Sequence, residues 1–262
     1  MEIPSDFTLV GIFLFVIIFA STLTLLHLGR RIGVWRRSLD SEGAAAGLGS
    51  VEGAVFGLMG LLLAFTFSGA ASRFEARRQL IVQETNAIGT AYLRLDLLPT
   101  GDQPKMREDF RSYVDARLSV YRKLPDLEAS RAEMSKATAL QAEIWSRAVV
   151  GCKELNSPAV TSLVLSSLNE MIDITTTRAV ALRSHPPAII FIMLFVLLLA
   201  SSLLAGYGMS AGKARSWLHM VGFAFIMAIA VYVIIDIEFP RVGLVRIDYV
   251  DQALMDLRNS MR

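Results

Sequence analysis

The chain has 262 residues and a mass of 28.8 kDa, and its formal net charge is only +2. It is 53% hydrophobic and 19% charged, whereas an average soluble domain is about 45–50% apolar and about 25% charged. This composition excludes a disordered chain and a soluble enzyme. The single cysteine, Cys152, excludes an internally cross-linked secreted scaffold, and the small net charge does not indicate a nucleic-acid partner.

Four apolar stretches without Asp, Glu, Lys or Arg are each long enough to cross about 30 Å of hydrocarbon. They cover residues 7–29, 53–72, 187–212 and 216–235. Because lipid offers no hydrogen-bond partner to backbone groups, each stretch is predicted to be a transmembrane α-helix. The residues before the first stretch include two acids and no base, unlike a cleaved secretory signal, so this helix is predicted to be retained.

Residues 73–186 have a different composition, with 16 Lys+Arg and 14 Asp+Glu. Their apolar residues recur at helical spacing, and no alternating strand pattern is present. We therefore predict an all-α polytopic membrane protein with four transmembrane helices and a helical soluble block between the second and third spans. Breaks at 99–104, at Pro125 and at 156–158 are expected to divide this block into four helices. The first of these helices is expected to continue the second span without interruption.

This pattern predicts four segments in chain order. Residues 1–72 form the first transmembrane pair with its connecting loop, and 73–186 form the helical extramembrane block. Residues 187–239 form the second transmembrane pair, and 240–262 form a C-terminal tail. The sequence His185-Pro186-Pro187 is expected to interrupt the chain just before the third span, because proline continues a helix poorly.

The sequence contains no recognised catalytic motif. The three histidines, His27, His185 and His219, lie far apart, and no His-x-x-His or Cys-x-x-Cys spacing exists. A phosphate-binding loop and a hydrolase nucleophile elbow are also missing from the sequence. We therefore predict no catalytic residue, no metal and no cofactor, and we expect that the protein is not an enzyme. For Glu84 and Asp173, packing or subunit salt bridges are favoured over catalysis.

The second span carries small residues three or four positions apart on one face: Gly53, Gly57, Gly60, Ala64 and Ser68. Small residues let helices approach closely in lipid, so this face is predicted to pack against another helix. Three bulky residues lie off this face and are candidates for a pore constriction or gate: Phe56, Phe65 and Phe67. Packing is the favoured interpretation of the pattern, and a pore role can coexist with it.

A third set of candidates consists of polar residues at or beyond the span boundaries: Glu52, Glu84, Asn86, Asp236, Glu238 and Arg241. A carboxylate this close to hydrocarbon is costly unless it is paired or hydrated. The favoured interpretation pairs Asp236 and Glu238 with a neighbouring base such as Arg241 or Arg246. The alternative treats these carboxylates as ion-attracting or gating groups.

Several of these segments, taken in order, resemble a known family. They are the glycine-rich span 53–68, the charged run Arg73 to Arg78, the block Glu84-Thr85-Asn86-Ala87, the segment 168–178 and the sequence Asp236-Ile237-Glu238-Phe239-Pro240-Arg241. Over roughly residues 50–260 this order is similar to the uncharacterised bacterial membrane family named as a bestrophin-like domain. The resemblance implies an oligomeric anion channel with four spans per subunit and a helical soluble region. The acidic calcium-binding run of bestrophins has no counterpart in the C-terminal tail.

The sequence is therefore compatible with two functions. The first is an oligomeric bestrophin-like channel that conducts anions through a pore lined or supported by the second span. The alternative is a non-conducting membrane scaffold or sensor whose helical block binds a protein partner. The expected partners are the lipid bilayer, further copies of the chain and inorganic anions, with no nucleic acid. The expected location is the bacterial cytoplasmic (inner) membrane, crossed several times.

The orientation in the membrane is predicted from the basic residues. Four arginines in residues 28–50, after an acidic N-terminus, favour a cytoplasmic location for this segment. The bestrophin resemblance implies the opposite, with the helical block in the cytoplasm. The charge rule is the one favoured here.

Overall fold

The structure is a computed structural model, and it describes residues 5–40, 47–123, 126–212, 217–241, 244–245 and 247–261. All regular structure within these ranges is helical, as the sequence predicts. The α-helices are α1 (Ser5–Leu39), α2 (Leu48–Leu93), α3 (Gln103–Arg122), α4 (Leu127–Leu155), α5 (Pro158–Arg183), α6 (Ala188–Gly208), α7 (Trp217–Glu238) and α8 (Asp251–Ser260). The predicted break at Pro125, the predicted start of the fourth span at Ser216 and the candidate base Arg246 lie outside the described residues.

Four helical segments are long and apolar enough to cross a membrane, which confirms the number of predicted spans. They are Val10–Leu39, Leu48–Leu97, Pro158–Ala211 and Trp217–Glu238. The helix α1 continues well beyond residue 29, where the uncharged stretch ends. Arginine is a good helix former, and Arg36 and Arg37 in the last turn interact favourably with the negative end of the helix dipole.

The turns between the helices follow the sequence signals. Pro104 and Pro158 lie in the first turns of α3 and α5, where a missing N–H costs no hydrogen bond. Asn156 ends α4 in the left-handed conformation with φ of 48°. Residues 184–187 are not helical, so the break predicted at His185-Pro186-Pro187 is confirmed. The helix α2 continues from the second span to Leu93, as expected from the lack of a breaking residue.

The chain divides into two compact units. The first comprises Met1–Phe74 and His185–Arg246, and the second comprises Glu75–Ser184 and Ile247–Arg262. In the first unit, α1 packs against α6 and α7. Its apolar core contains buried residues from four helices: Ile18, Met59, Leu194, Leu198, Ala228 and Val231.

Glycine determines the close approach of α1 and α6. A Cβ at Gly29 would overlap the carbonyl oxygen of Leu203, and a Cβ at Gly206 would overlap the carbonyl oxygen of Leu26. A Cβ at Gly33 would likewise overlap the Ser210 side chain. Small residues permit this backbone contact, which provides packing where lipid supplies little hydrophobic driving force.

The second unit has its own core, built from α2, α3, α4, α5 and α8. The residues that are fully withdrawn from solvent include Ile88, Leu95, Met106, Phe110, Tyr113, Ile144, Leu168 and Met171. The single cysteine, Cys152, is also buried in this core. Leu254 and Met261 join the same cluster, so the C-terminal segment is part of this unit.

We predict that Gly206→Ala lowers the thermal unfolding midpoint of the detergent-solubilised full chain. The new methyl group must push α6 away from the backbone of α1, and overpacking of this kind costs about 1–3 kcal/mol. Circular dichroism during heating measures the midpoint. Gly222→Ala in α7 is the matched control, because its Cβ would have nothing within 4 Å. Equal midpoints for Gly206→Ala and the wild type would contradict the assigned packing.

Candidate functional site

Glu84 lies on the face of α2 that turns into the core of the second unit. Ile81, Glu84, Ile88 and Leu95 recur at helical spacing, and all four are buried. Glu84 therefore occupies a position where an apolar side chain would be expected, and its side chain has 0% exposure. A carboxylate in this position needs charged or hydrogen-bonded partners to offset the loss of hydration.

Two arginines from two other helices provide these partners. Arg117 of α3 donates from Nε to Oε1 of Glu84 at 2.6 Å. Arg178 of α5 donates from Nη1 to the other carboxylate oxygen, Oε2. Both arginine side chains are almost fully buried. Residues far apart in the sequence thus form one Arg–Glu–Arg cluster that connects α2, α3 and α5.

Two further residues complete the surroundings of this cluster. The guanidinium carbon of Arg178 lies 4.3 Å from the centre of the Tyr121 ring, and Nη2 of Arg117 donates to the Tyr121 hydroxyl at 3.3 Å. Nη2 of Arg178 lies 3.6 Å from Oδ1 of Asp251 in α8. With this second carboxylate the two cations face two anions, so the charges of the group balance.

The electrostatics of the cluster favour the charged form of Glu84. Burial by itself would raise the pKa of Glu84, but the guanidinium groups of Arg117 and Arg178 outweigh it and hold the pKa below its ordinary value of 4.5. Burial raises the pKa of the neighbouring Tyr113 hydroxyl, so that group stays protonated. The cluster is closed and paired, and it presents no reactive group to a substrate.

Two further arginines of the second unit bind the end of α5 and attach the C-terminal helix α8. Arg77 is buried and donates to the carbonyl oxygens of Ala181 and Ser184 at 3.2 and 2.9 Å, at the C-terminal end of α5. Arg258 in α8 donates to both carboxylate oxygens of Asp115 in α3 at 2.8 Å. The C-terminal helix is therefore held by this ion pair together with its apolar residues.

The first unit contains a comparable paired carboxylate, Glu238, at the end of α7. Arg73 donates from Nε and Nη2 to this group at 2.7–3.1 Å, and Nδ1 of His185 lies 2.9 Å from Oε1. The His185 ring stacks on Phe239 with 4.7 Å between centroids. Glu238 has 0% side-chain exposure, and its partners Arg73 and His185 are about one-third exposed.

Asp236 has a different set of partners. Its carboxylate accepts hydrogen bonds from the Tyr232 hydroxyl at 3.0 Å and from the backbone N–H groups of Leu244 and Val245 at 2.9 and 2.8 Å. The side chain thus fixes the backbone that follows α7. Such full hydrogen bonding accounts for a carboxylate near the end of a span.

The remaining polar candidates lie in separate places. Oε1 of Glu52 is buried in the first turns of α2 and has no hydrogen-bond partner among the described residues, and a Cβ at Gly208 would overlap it. Asn86 is exposed on α2, and Arg241 is half-buried just after α7. The structure therefore does not gather the six polar candidates into one site within either unit.

The second span is mostly exposed within the chain. Among the residues that the structure describes, nothing lies within 4 Å of a Cβ at Gly53, Gly57 or Gly60, so the small-residue face does not pack against them. Packing against another subunit stays a prediction for this face. Phe65 and Phe67 are exposed by 67% and 47%. Three other residues of this span do have contacts within the chain. Phe56 contacts Phe223 edge-to-face with 6.2 Å between ring centroids, and Met59 and Ala70 are buried.

Within the described residues, no group of three or more His, Cys, Asp or Glu could hold a metal ion. A cavity of about 410 Å³ lies beside the α4–α5 turn, and its lining includes Cys152, Lys153 and Thr161. Burial raises the pKa of the Cys152 thiol, so the reactive thiolate is disfavoured there.

The partners of the buried carboxylates and the packing glycines of α1 were not predicted from the sequence. Arg117, Arg178 and Arg73 look like ordinary surface arginines in sequence, because their partners are distant along the chain. Gly29 and Gly33 did carry a signal, since their spacing is the small-x-x-x-small pattern of close helix packing. The uncharged stretch of the first span ends at residue 29, so Gly33, the second glycine of this pattern, lies outside it.

We predict that Glu84→Gln destabilises the full chain by about 3–5 kcal/mol, because it removes the charge that compensates two buried guanidinium groups. Denaturant unfolding in detergent, followed by circular dichroism, measures the loss. Glu143→Gln is the matched control, since Glu143 pairs with Arg147 at the surface and should change stability little. A similar small effect for both variants would refute the assigned role of Glu84.

The effect of Glu84→Gln on stability is also predicted to depend on pH. Because the folded-state pKa of Glu84 lies below its ordinary value of 4.5, its stabilising contribution is present above that pH. The contribution is lost as the pH falls through the folded-state pKa. The difference in unfolding midpoint between wild type and Glu84→Gln should therefore shrink on acidification. A difference that stays constant from pH 7 to pH 3 would show that ionised Glu84 does not stabilise the fold.

Comparison with known proteins identifies the fold. The match to the family described as Bestrophin-like domain extends over residues 10–251. One mutant crystal structure of a bacterial bestrophin homologue from Klebsiella pneumoniae has a TM-score of 0.64 at 14% identity, covering 91% of this chain and 98% of the other. Another mutant of that homologue has a TM-score of 0.61 at 16% identity, with coverage of 91% and 98%.

A third crystal structure, described as a membrane protein, has a TM-score of 0.61 at 17% identity and covers 92% of this chain and 99% of the other. At such low identities these similarities show the fold. No curated protein matches the chain. The family match spans most of the sequence and confirms the resemblance, and the chain therefore belongs to the Bestrophin-like domain family.

Proposed function

We propose that this chain is one subunit of a homo-oligomeric ion channel that conducts anions across the bacterial inner membrane. Family membership supports a membrane ion channel at the family level. Anion selectivity is carried over from the resemblance to bestrophins. The observation that carries the proposal within this chain is the wide exposed side of α2 in its membrane part, residues 53–72.

The exposed side of α2 includes two adjacent strips. With about 100° between successive residues, the small residues identified above, from Gly53 to Ser68, form the first strip. Leu58, Leu61 and Phe65 form the second strip, and each is more than half exposed. A helix from another subunit can approach the small strip closely. In a ring of subunits, contact along the small strip would turn the neighbouring bulky strip towards the central axis.

The three phenylalanine candidates then have different roles. We do not assign Phe56 to the axis, because it contacts Phe223 within the chain. Phe65 and Phe67 are two positions apart, so their side chains leave α2 in directions about 160° apart. One ring of side chains can include only one of them. We assign the constriction to Phe65, because it lies on the bulky strip, where a ring of apolar side chains can gate conduction by dewetting.

The expected outcome for Phe65→Ala is a larger single-channel conductance or a higher open probability in planar bilayers. Phe67→Ala is the matched control, because the same truncation is made on the other side of the same helix and should leave both quantities unchanged. Each variant is first checked by mass measurement in detergent, which should show several subunits. If only Phe67→Ala changes conduction, or if neither variant does, the assignment of Phe65 is wrong.

Selectivity and conduction are tested in the same recordings. In a KCl gradient an anion channel reverses near the chloride equilibrium potential. Reversal near the potassium potential would contradict anion conduction while leaving the channel proposal intact. An intact oligomer that conducts no ion would contradict the channel and favour the non-conducting scaffold, whose helical block binds a protein partner.

A further inference from the structure

A groove of about 380 Å³ lies along the C-terminal part of α1. Among the described residues, its lining comes from this helix and combines basic, aromatic and apolar side chains: His27, Arg30, Arg31, Val34, Trp35 and Ser38. None of the lining residues is acidic. The groove is therefore cationic and has an apolar component, which is the combination expected for an amphipathic anion.

The groove opens on the side of α1 that faces away from α6. The lining residues recur every three or four positions and form one stripe along α1. Gly29 and Gly33, which contact α6, lie on the opposite side of α1, about half a turn from this stripe. Arg31, Val34 and Trp35 are correspondingly exposed. Arg30 lies at the edge of the stripe, where its Nη2 donates to the carbonyl oxygen of Gly212, beyond the end of α6, at 3.5 Å.

The groove also lies at the depth of lipid headgroups. The uncharged part of the first span ends at residue 29, and the groove extends from His27 to Ser38, across that boundary. Trp35 is 60% exposed, and tryptophan is enriched where the hydrocarbon meets the headgroups. The guanidinium groups of Arg30 and Arg31 match phosphate oxygens, because their planar N–H groups can donate two parallel hydrogen bonds.

A simpler explanation for basic residues is their attraction to the negative end of the helix dipole. That effect is confined to the last turn and accounts for Arg36 and Arg37, the basic residues of that turn. Arg37 has a further role, because its Nε donates to the Ser210 hydroxyl at 2.9 Å. The dipole does not account for Arg31, which lies more than two turns from the end, or for an exposed tryptophan in the same groove. The contact of Arg30 with the Gly212 carbonyl oxygen uses only one of its five guanidinium N–H groups.

We propose that this groove binds the phosphate headgroup of an anionic phospholipid in the leaflet that surrounds residues 27–38. Arg30 and Arg31 donate to the phosphate oxygens, while Trp35 and Val34 contact the glycerol region and the first methylene groups. The proposal depends on the position and chemistry of the groove alone, so it holds for either orientation in the membrane and whether or not the protein conducts ions.

The test uses the full chain in nanodiscs that contain either brominated phosphatidylglycerol or brominated phosphatidylcholine in the same neutral lipid. Bromine quenches nearby tryptophan fluorescence, and the signal of Trp35 is the difference between wild type and Trp35→Phe. Stronger quenching of Trp35 by the anionic lipid than by the neutral lipid is expected. Equal quenching by the two lipids would overturn the proposal.

Two matched arginine variants separate specific binding from general attraction. Arg31→Gln should weaken the preference for phosphatidylglycerol about five-fold, as expected for one basic residue at an anionic surface. Arg36→Gln removes the same charge from an exposed position outside the groove and should leave the preference unchanged. Equal losses for both variants would mean that only the net charge of α1 attracts the lipid, which would also overturn the proposal.

A final measurement distinguishes a lipid headgroup from free phosphate. Inorganic phosphate is titrated into the nanodiscs that contain brominated phosphatidylglycerol, with sodium sulfate at matched ionic strength as the control. If quenching is as strong after addition of phosphate as after addition of sulfate, the groove binds a lipid headgroup. Displacement of the lipid by millimolar phosphate, but not by sulfate, would show that the groove takes the free anion and would refute the lipid assignment.

Discussion

The fold of the second unit depends on one buried carboxylate, Glu84, and on the two guanidinium groups that bind it. Removing three charged groups from water is costly, and the cost is offset only when donors and acceptors meet in good geometry. Glu84, Arg117 and Arg178 belong to three helices, so this requirement fixes how α2, α3 and α5 are placed. The contact of Arg178 with Asp251 extends the same constraint to the C-terminal helix.

The first unit also contains a buried carboxylate, but its partners and its helix contacts differ from those of the second unit. Its carboxylate, Glu238, is bound by Arg73 and His185. Its helices are held by backbone contact at Gly29 and Gly206, since apolar side chains gain little by leaving lipid for one another. These contacts involve α1, α6 and α7, and the described residues of the first unit leave one side of α2 uncovered. That uncovered side supports the channel proposal, whereas the outward groove of α1 supports a lipid site.

Most of the secondary structure was predictable, because its signals are local. Uncharged stretches marked four spans, helical spacing marked the helices of the second unit, and Asn156, Pro158 and Pro187 marked turns. The extension of α1 to Leu39 was not predicted, because charge ends an apolar stretch but does not end a helix. The candidate carboxylates were recognised from their positions near apolar segments. Their partners were not, since pairing depends on which helices meet.

The sequence by itself determined an all-helical membrane protein, its four spans and its family, because composition, periodicity and motif order are properties of the chain. Only the tertiary structure decided which small residues pack inside the chain. Gly29 and Gly57 both belong to small-residue patterns at helical spacing. A Cβ at Gly29 would overlap the backbone of α6, whereas a Cβ at Gly57 would have no atom of the described residues within 4 Å. Likewise, only the tertiary structure decided that Arg117 and Arg178 bind Glu84. Both outcomes depend on which helix faces lie opposite each other, and spacing along one helix carries no information about its neighbour.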